Sequence, residues 1–143
     1  MKKAVFAVFL ILCVLLVFSC STTGRITDDT FRRIYDRHAG NLILDGAQSY
    51  TVRSGDTLSQ IAESFYREGL YYPVIMLASK DVVLDPDKIM PGMVLTIPNL
   101  QANLDNPRSR ASIRGVMLDC SEIEVQRGRS DYGRRMRELA NSL

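Results

Sequence analysis

Residues 50–62 read Tyr-Thr-Val-Arg-Ser-Gly-Asp-Thr-Leu-Ser-Gln-Ile-Ala, and residues 86–98 read Pro-Asp-Lys-Ile-Met-Pro-Gly-Met-Val-Leu-Thr-Ile-Pro. Tyr50 to Arg53, with β-branched and aromatic side chains, predicts a short strand. Ser54-Gly55-Asp56 is a turn signal. Thr57 and Gln60, hydroxyl and amide three apart, form a capping-box signature for a helix start. Leu58, Ile61, Ala62 and Phe65 then follow at i, i+3, i+4 and i+7, which predicts a helix with one buried face. Arg67 to Tyr71 is a loop, and Pro73 suits the first turn of a second helix from Val74 to about Ser79. Asp85-Pro86-Asp87 and Pro91-Gly92 are turn signals. Met93 to Ile97 predicts a second strand, ended by Pro98. The order is β-α-α-β, an α+β module whose two strands pair antiparallel and share a core with both helices.

Together, these two stretches resemble a LysM module. Two separate motifs in order at the right separation make the resemblance specific, and it covers residues 50–98. It implies a β-α-α-β fold that binds glycans containing N-acetylglucosamine, such as peptidoglycan or chitin. It also places a groove between the first strand–helix turn and the loop before the second strand. Here the implied glycan-binding residues are Gly55, Asp56, Thr57 and Leu58 on one side, and Ile89, Met90 and Pro91 on the other. The chemistry suits that use. Gly55 lets backbone approach a sugar closely, while Leu58, Ile89 and Met90 can meet an acetyl methyl and C–H faces. Leu58 and Ile89 are equally suited to a core, and Asp56 to a turn or cap. The chain departs from the family at three points. Ser79 stands where Asn is common, so the loss of a loop hydrogen bond is expected. Met93 replaces a Gln, and Tyr71-Tyr72 replaces a Trp. A shallow groove on one module implies weak binding, roughly −4 to −7 kcal/mol.

Outward from the module, residues 27–40 read as one amphipathic helix. Thr27 is its cap, Phe31, Ile34, Tyr35 and His38 its stripe, and Gly40 its stop. His38 reads as a packing or C-terminal cap residue, because no further His, Cys or carboxylate at metal spacing accompanies it. Residues 41–49 are a short extended apolar run and an Asp45-Gly46 turn. On the C-terminal side, Asn106-Pro107 starts a helix. Its stripe is Ile113, Val116, Met117, Cys120 and Ile123. Gly128 breaks the run, Ser130 can cap a second helix, and Tyr132, Met136 and Leu139 recur along it. The pair predicts a helical hairpin that needs a partner for its apolar stripes. Arg127, Arg129, Arg134, Arg135 and Arg137, with acids interleaved, read as a solvated face. The alternative is contact with anionic lipid or wall polymer. Residues 74–78, apolar on every side, predict that flanking helices cover Met76 and Leu77.

The N-terminus carries a different message. Met1-Lys2-Lys3 and the apolar residues 4–18 match a secretory signal, and the apolar run is short for a membrane span, which takes roughly 20 residues. Val17-Phe18-Ser19-Cys20 resembles a bacterial lipobox, which implies cleavage at residue 19 and acylation of Cys20. Ser21 after the Cys implies an outer-membrane destination facing the periplasm. Cys13 would leave with the signal and Cys20 would be acylated. Only Cys120 then remains, on an apolar stripe that favours burial, with pairing between chains as the alternative. The organisation is therefore a signal at 1–19, a lipidated tether and short helix at 20–49, the LysM module at 50–98, and a helical region at 99–143. Charge narrows the partners further. Without Lys2 and Lys3, the 18 Lys+Arg become 16, against 16 Asp+Glu. A mature chain neutral by count argues against a nucleic-acid binder.

Three functions compete. The residues favour a non-catalytic, lipid-anchored protein that binds peptidoglycan, with no cofactor and no metal. The second is a periplasmic interaction scaffold that uses the C-terminal helices to hold a protein partner. The third is a wall hydrolase. It would have to use His38 and Cys120 on apolar stripes, and no placed pair of carboxylates is evident. The lipobox yields a direct test: Cys20→Ala should abolish incorporation of radiolabelled acyl chains, and an unacylated wild type would refute the anchor.

Overall fold

A computed structural model describes residues 26–143. The signal, the lipobox and Cys20 lie outside the described residues. The elements in chain order are α1 (Asp28–His38), β1 (Gln48–Thr51), α2 (Leu58–Tyr66), α3 (Tyr72–Ala78), β2 (Val94–Ile97), α4 (Leu100–Asp105), α5 (Pro107–Gln126) and α6 (Ser130–Asn141). β1 and β2 pair antiparallel, from Gln48 opposite Ile97 to Thr51 opposite Val94. This is the α+β module expected, with helices on both flanks.

The first strand lies upstream of its expected place at residues 50–53. Val52 still donates to the Met93 carbonyl at 2.8 Å. Arg53, however, gives its amide to Asp56 Oδ2 at 2.8 Å, so the turn takes it from the sheet. In α2 the capping box forms in both directions. The Gln60 amide donates to Thr57 Oγ1 at 3.2 Å, and the Thr57 amide to Gln60 Oε1 at 3.1 Å. Leu58, Ile61 and Ala62 are buried as the periodicity requires, but Phe65 is 37% exposed. Phe65 instead meets Tyr50 edge-on, with ring centroids 5.8 Å apart.

α3 begins at Tyr72, with Pro73 in its first turn. Val74, Ile75, Met76 and Leu77 are all fully or almost fully buried. One hydrophobic core includes them together with Phe31, Ile34, Leu95, Ile113, Val116, Met117 and Met136. α3 packs on α2, β2 and α5, and α1 packs on α5. The flanking helices therefore cover the module. Ser79 has a bonding role of its own. The hydroxyl in this Asn position accepts from the Thr96 amide at 2.9 Å, and so anchors β2 to the end of α3.

Other local differences have equally local causes. α1 ends at His38 and runs into a tight turn at Ala39–Asn41, so Gly40 sits inside that turn and is not the stop. His38 Nε2 lies 2.8 Å from Asp119 Oδ2, and its ring occupies the space beside Gly115, where a Cβ would approach to 2.4 Å. It is a packing residue. α4 carries no sequence stripe long enough to announce it. Its buried Asn103 accepts from the Ile43 amide at 2.8 Å and donates to the Ile43 carbonyl at 2.9 Å, and so holds the chain that follows the Ala39–Asn41 turn. Asn106 caps α5 as read, accepting from the Arg108 and Ser109 amides. Gly128 takes φ +81° in the link, and Ser130 enters the first turn of α6 without capping it.

The arginine cluster is not one solvated face. Arg127 donates to Asp85 Oδ1 at 2.9 Å and to Asp87 Oδ2 at 2.8 Å, and its guanidinium lies over the Phe31 ring at 5.4 Å. Arg129 reaches Asp87 at 3.1 Å and also pairs with Glu124. The α5–α6 link therefore clamps the loop at Pro86–Lys88. Arg134 and Arg137 do make ordinary surface pairs, with Asp131, Glu138 and Glu122. Burial disfavours the Asp85 carboxylate. The Asp87 amide, Arg127 and Lys88 outweigh that effect and hold its pKa below the usual 3.8.

Two outcomes follow from this packing. Leu77→Ala should cost about 2–4 kcal/mol of unfolding free energy, read by urea melts, and amides of residues 107–125 should be protected from hydrogen exchange. Free-peptide exchange there would contradict docking of the helix. The clamp carries a pH signature with a defined sign. A carboxylate held below its unfolded value contributes stability above that value and loses it as pH falls through the folded one. Wild type should therefore lose stability below about pH 4, more steeply than Asp85→Asn, while Arg127→Ala should cost about 2 kcal/mol at neutral pH. Identical acid profiles for wild type and Asp85→Asn would remove Asp85 from this role.

Candidate functional site

The turn between β1 and α2 faces the loop before β2 across a cleft of about 400 Å³. Four of the residues singled out from the sequence line it: Asp56, Thr57, Leu58 and Ile89. Gly55, Met90 and Pro91 lie in the same two loops but are exposed and do not line this cleft. The local reasons are clear. Gly55 takes φ +88°, a conformation that turns the chain out of β1 and that side chains other than glycine's rarely adopt. Asp56 closes the turn, since its Oδ2 accepts from the Arg53 amide at 2.8 Å and from the Tyr50 hydroxyl at 2.7 Å. The Arg53 amide first, then Tyr50, hold its carboxyl below the ordinary value. Thr57 is engaged by Gln60 as a cap, and Leu58 is buried. Ile89 is half-buried, and its apolar side chain borders the cleft.

A further wall was not foreseen. Glu124, Arg129 and Tyr132, from the C-terminal hairpin, line the same cleft together with Tyr72. Glu124 is 2% exposed and accepts from the Tyr72 hydroxyl at 2.7 Å. Burial first, with Cys120 and Glu124 nearby, raises the Tyr72 pKa far above its ordinary value, so the hydroxyl stays a donor. The Tyr132 ring stacks near Tyr72 with centroids 6.5 Å apart. Its hydroxyl lies 3.0 Å from Ser59 Oγ. No motif marked these residues, because Tyr132 is one member of an apolar stripe and Arg129 one of several arginines.

Cys120 is fully buried, and that burial raises its thiol pKa far above the ordinary value, so it offers no thiolate nucleophile. Among the described residues no group of three His, Cys, Asp or Glu side chains is placed to hold a metal ion. Three acids in and beside the cleft are paired with arginine. Asp85 and Asp87 are paired with Arg127, and Glu124 with Arg129.

Comparison with known proteins agrees with the geometry. The LysM domain family model matches residues 50–98. Potassium binding protein Kbp of Escherichia coli is 50% identical over 52 residues, 36% of this chain and 35% of its own length. An uncharacterized protein of Deinococcus radiodurans is 43% identical over 53 residues, 37% of this chain and 20% of its own. The chain thus spans about a third or less of the relatives it matches. No solved structure matches it. LysM domains are binding modules, typically non-catalytic, and residues 50–98 of this chain are one.

Proposed function

We propose that this is a non-catalytic, lipid-anchored cell-envelope protein. It binds the N-acetylglucosamine-containing glycan of peptidoglycan in the cleft between the β1–α2 turn and the loop before β2. The observation that carries this reading is the cleft itself. It opens between the two loops that the LysM resemblance implicates, and it is bordered by Ile89 on one side and by Asp56 and Thr57 of the β1–α2 turn. Acetyl methyls and sugar C–H faces suit the apolar border, and sugar hydroxyls suit its polar edge. Residues 20–49 act as tether and first packing helix, and residues 99–143 as a buttress. Acylation at Cys20 holds the chain to the outer membrane, facing the periplasm. An anchor close to a polymeric wall raises effective concentration, which offsets weak single-module binding.

The scaffold reading loses support from the packing. Ile113, Val116, Met117, Cys120 and Met136 are buried within the chain, so the stripes once available to a partner are used internally. Potassium binding is the property named for the Escherichia coli relative, which this chain matches over only 52 residues.

The test is co-sedimentation of the full chain with purified insoluble peptidoglycan. Soluble N-acetylglucosamine oligomers should release the bound protein. Ile89→Ala should weaken binding about fivefold, the loss of roughly 1 kcal/mol of apolar contact, with its melting temperature lowered only slightly. Pelleting that oligomers do not compete would sink this reading.

A further inference from the structure

The hairpin does more to the cleft than support it. Tyr132 and Arg129 line it together with Asp56 and Thr57 of the β1–α2 turn. Tyr132 is only half-buried despite its contacts with Tyr72 and Ser59, so part of the ring borders the open cleft. Arg129 is held from two sides. Its Nε pairs with Glu124 and its Nη2 with Asp87. Those bonds leave Nη1 with no hydrogen-bond partner among the described residues. On the β1–α2 turn, both bonds to Asp56 fall on Oδ2, which leaves Oδ1 without a partner among the described residues. The lining therefore includes a braced guanidinium and an aromatic ring from the hairpin and a braced carboxylate from the β1–α2 turn. Carboxylate and guanidinium groups suit hydroxyls that both donate and accept, while aromatic rings suit C–H faces.

We propose that the α5–α6 hairpin is part of the glycan-binding site. In this arrangement Tyr132 and Arg129 contact a sugar unit next to the one held by the two LysM loops, so recognition favours a glycan chain over a single sugar. The inference rests on the glycan reading above and adds residues from outside residues 50–98 to it. The clamp of Arg127 and Arg129 on Asp85 and Asp87 ties the hairpin to the loop before β2, and the Tyr132 hydroxyl, 3.0 Å from Ser59 Oγ, ties it to the start of α2. Binding energy is then not spent on ordering a mobile hairpin.

The experiment compares an N-acetylglucosamine disaccharide with a hexasaccharide by calorimetry, on the full chain. Wild type should bind the hexasaccharide more tightly. Tyr132→Leu keeps apolar volume and should lower hexasaccharide affinity about fivefold, leaving the disaccharide within twofold. Tyr132→Phe retains the ring and should behave as wild type. In wild type, backbone amides of residues 129–133 should shift in NMR spectra as hexasaccharide is added, a reading that needs no variant to fold. If wild type binds neither oligomer, the glycan reading itself falls, and this inference with it. Hexasaccharide binding that leaves residues 129–133 unshifted, or that weakens equally for both ligands in Tyr132→Leu, would overturn the hairpin's role alone. A Tyr132→Phe protein as impaired as Tyr132→Leu would assign Tyr132 to bracing and also overturn it.

Discussion

Val74, Ile75, Met76 and Leu77 place apolar side chains around every side of a helix only seven residues long. A helix this short cannot persist on its own hydrogen bonds, and one apolar all round cannot face water. It must be enclosed, and the rest of the molecule supplies the enclosure. α2 and β2 cover the sides that belong to the LysM module, and α5 covers another. The burial of these four side chains contributes on the order of 1.5–3 kcal/mol each, as an upper bound. Helices α1 and α5, whose own stripes need cover, bury them in the same core. The flanks and the module are thus mutually dependent.

That dependence carries the chain into the cleft. Because α5 lies on α3, its C-terminal end and the link that follows come to the loop at Pro86–Lys88. There Arg127 and Arg129 meet Asp85 and Asp87, and Glu124 meets the Tyr72 hydroxyl. Of these, Asp85, Arg127 and Glu124 are largely buried, and they are tolerated there because each is bonded from more than one side. The same contacts bring Tyr132 beside Tyr72. A groove with two walls in the LysM module gains a third from a segment that lies well beyond the module in sequence.

Helical and strand periodicity made much of the framework legible. The capping box at Thr57 and Gln60, the cap at Asn106, the left-handed Gly128 and the stripe from Ile113 to Ile123 all depend on residues within a few positions of one another. Interactions of that range are encoded locally, so they can be read without knowing the fold. Errors of one or two residues arose where a side chain competed for a backbone group, as Asp56 does for the Arg53 amide. Phe65 matched the helical period yet stayed at the surface, because the period defines a face but not whether anything packs on its last turn.

Local order, and the identity of the module at residues 50–98, are therefore written in the chain itself. The long-range pairings are not. Asn103 with Ile43, His38 with Asp119, Ser79 with Thr96 and Arg127 with Asp85 each join residues far apart in sequence. Nothing in the composition of either partner names the other. An arginine among several arginines is a surface charge until folding brings one carboxylate within reach, and a tyrosine on a stripe is core until its neighbours leave an edge uncovered. The hairpin wall of the cleft comes from that kind of meeting, which depends on how helices of given length and burial can pack around α3.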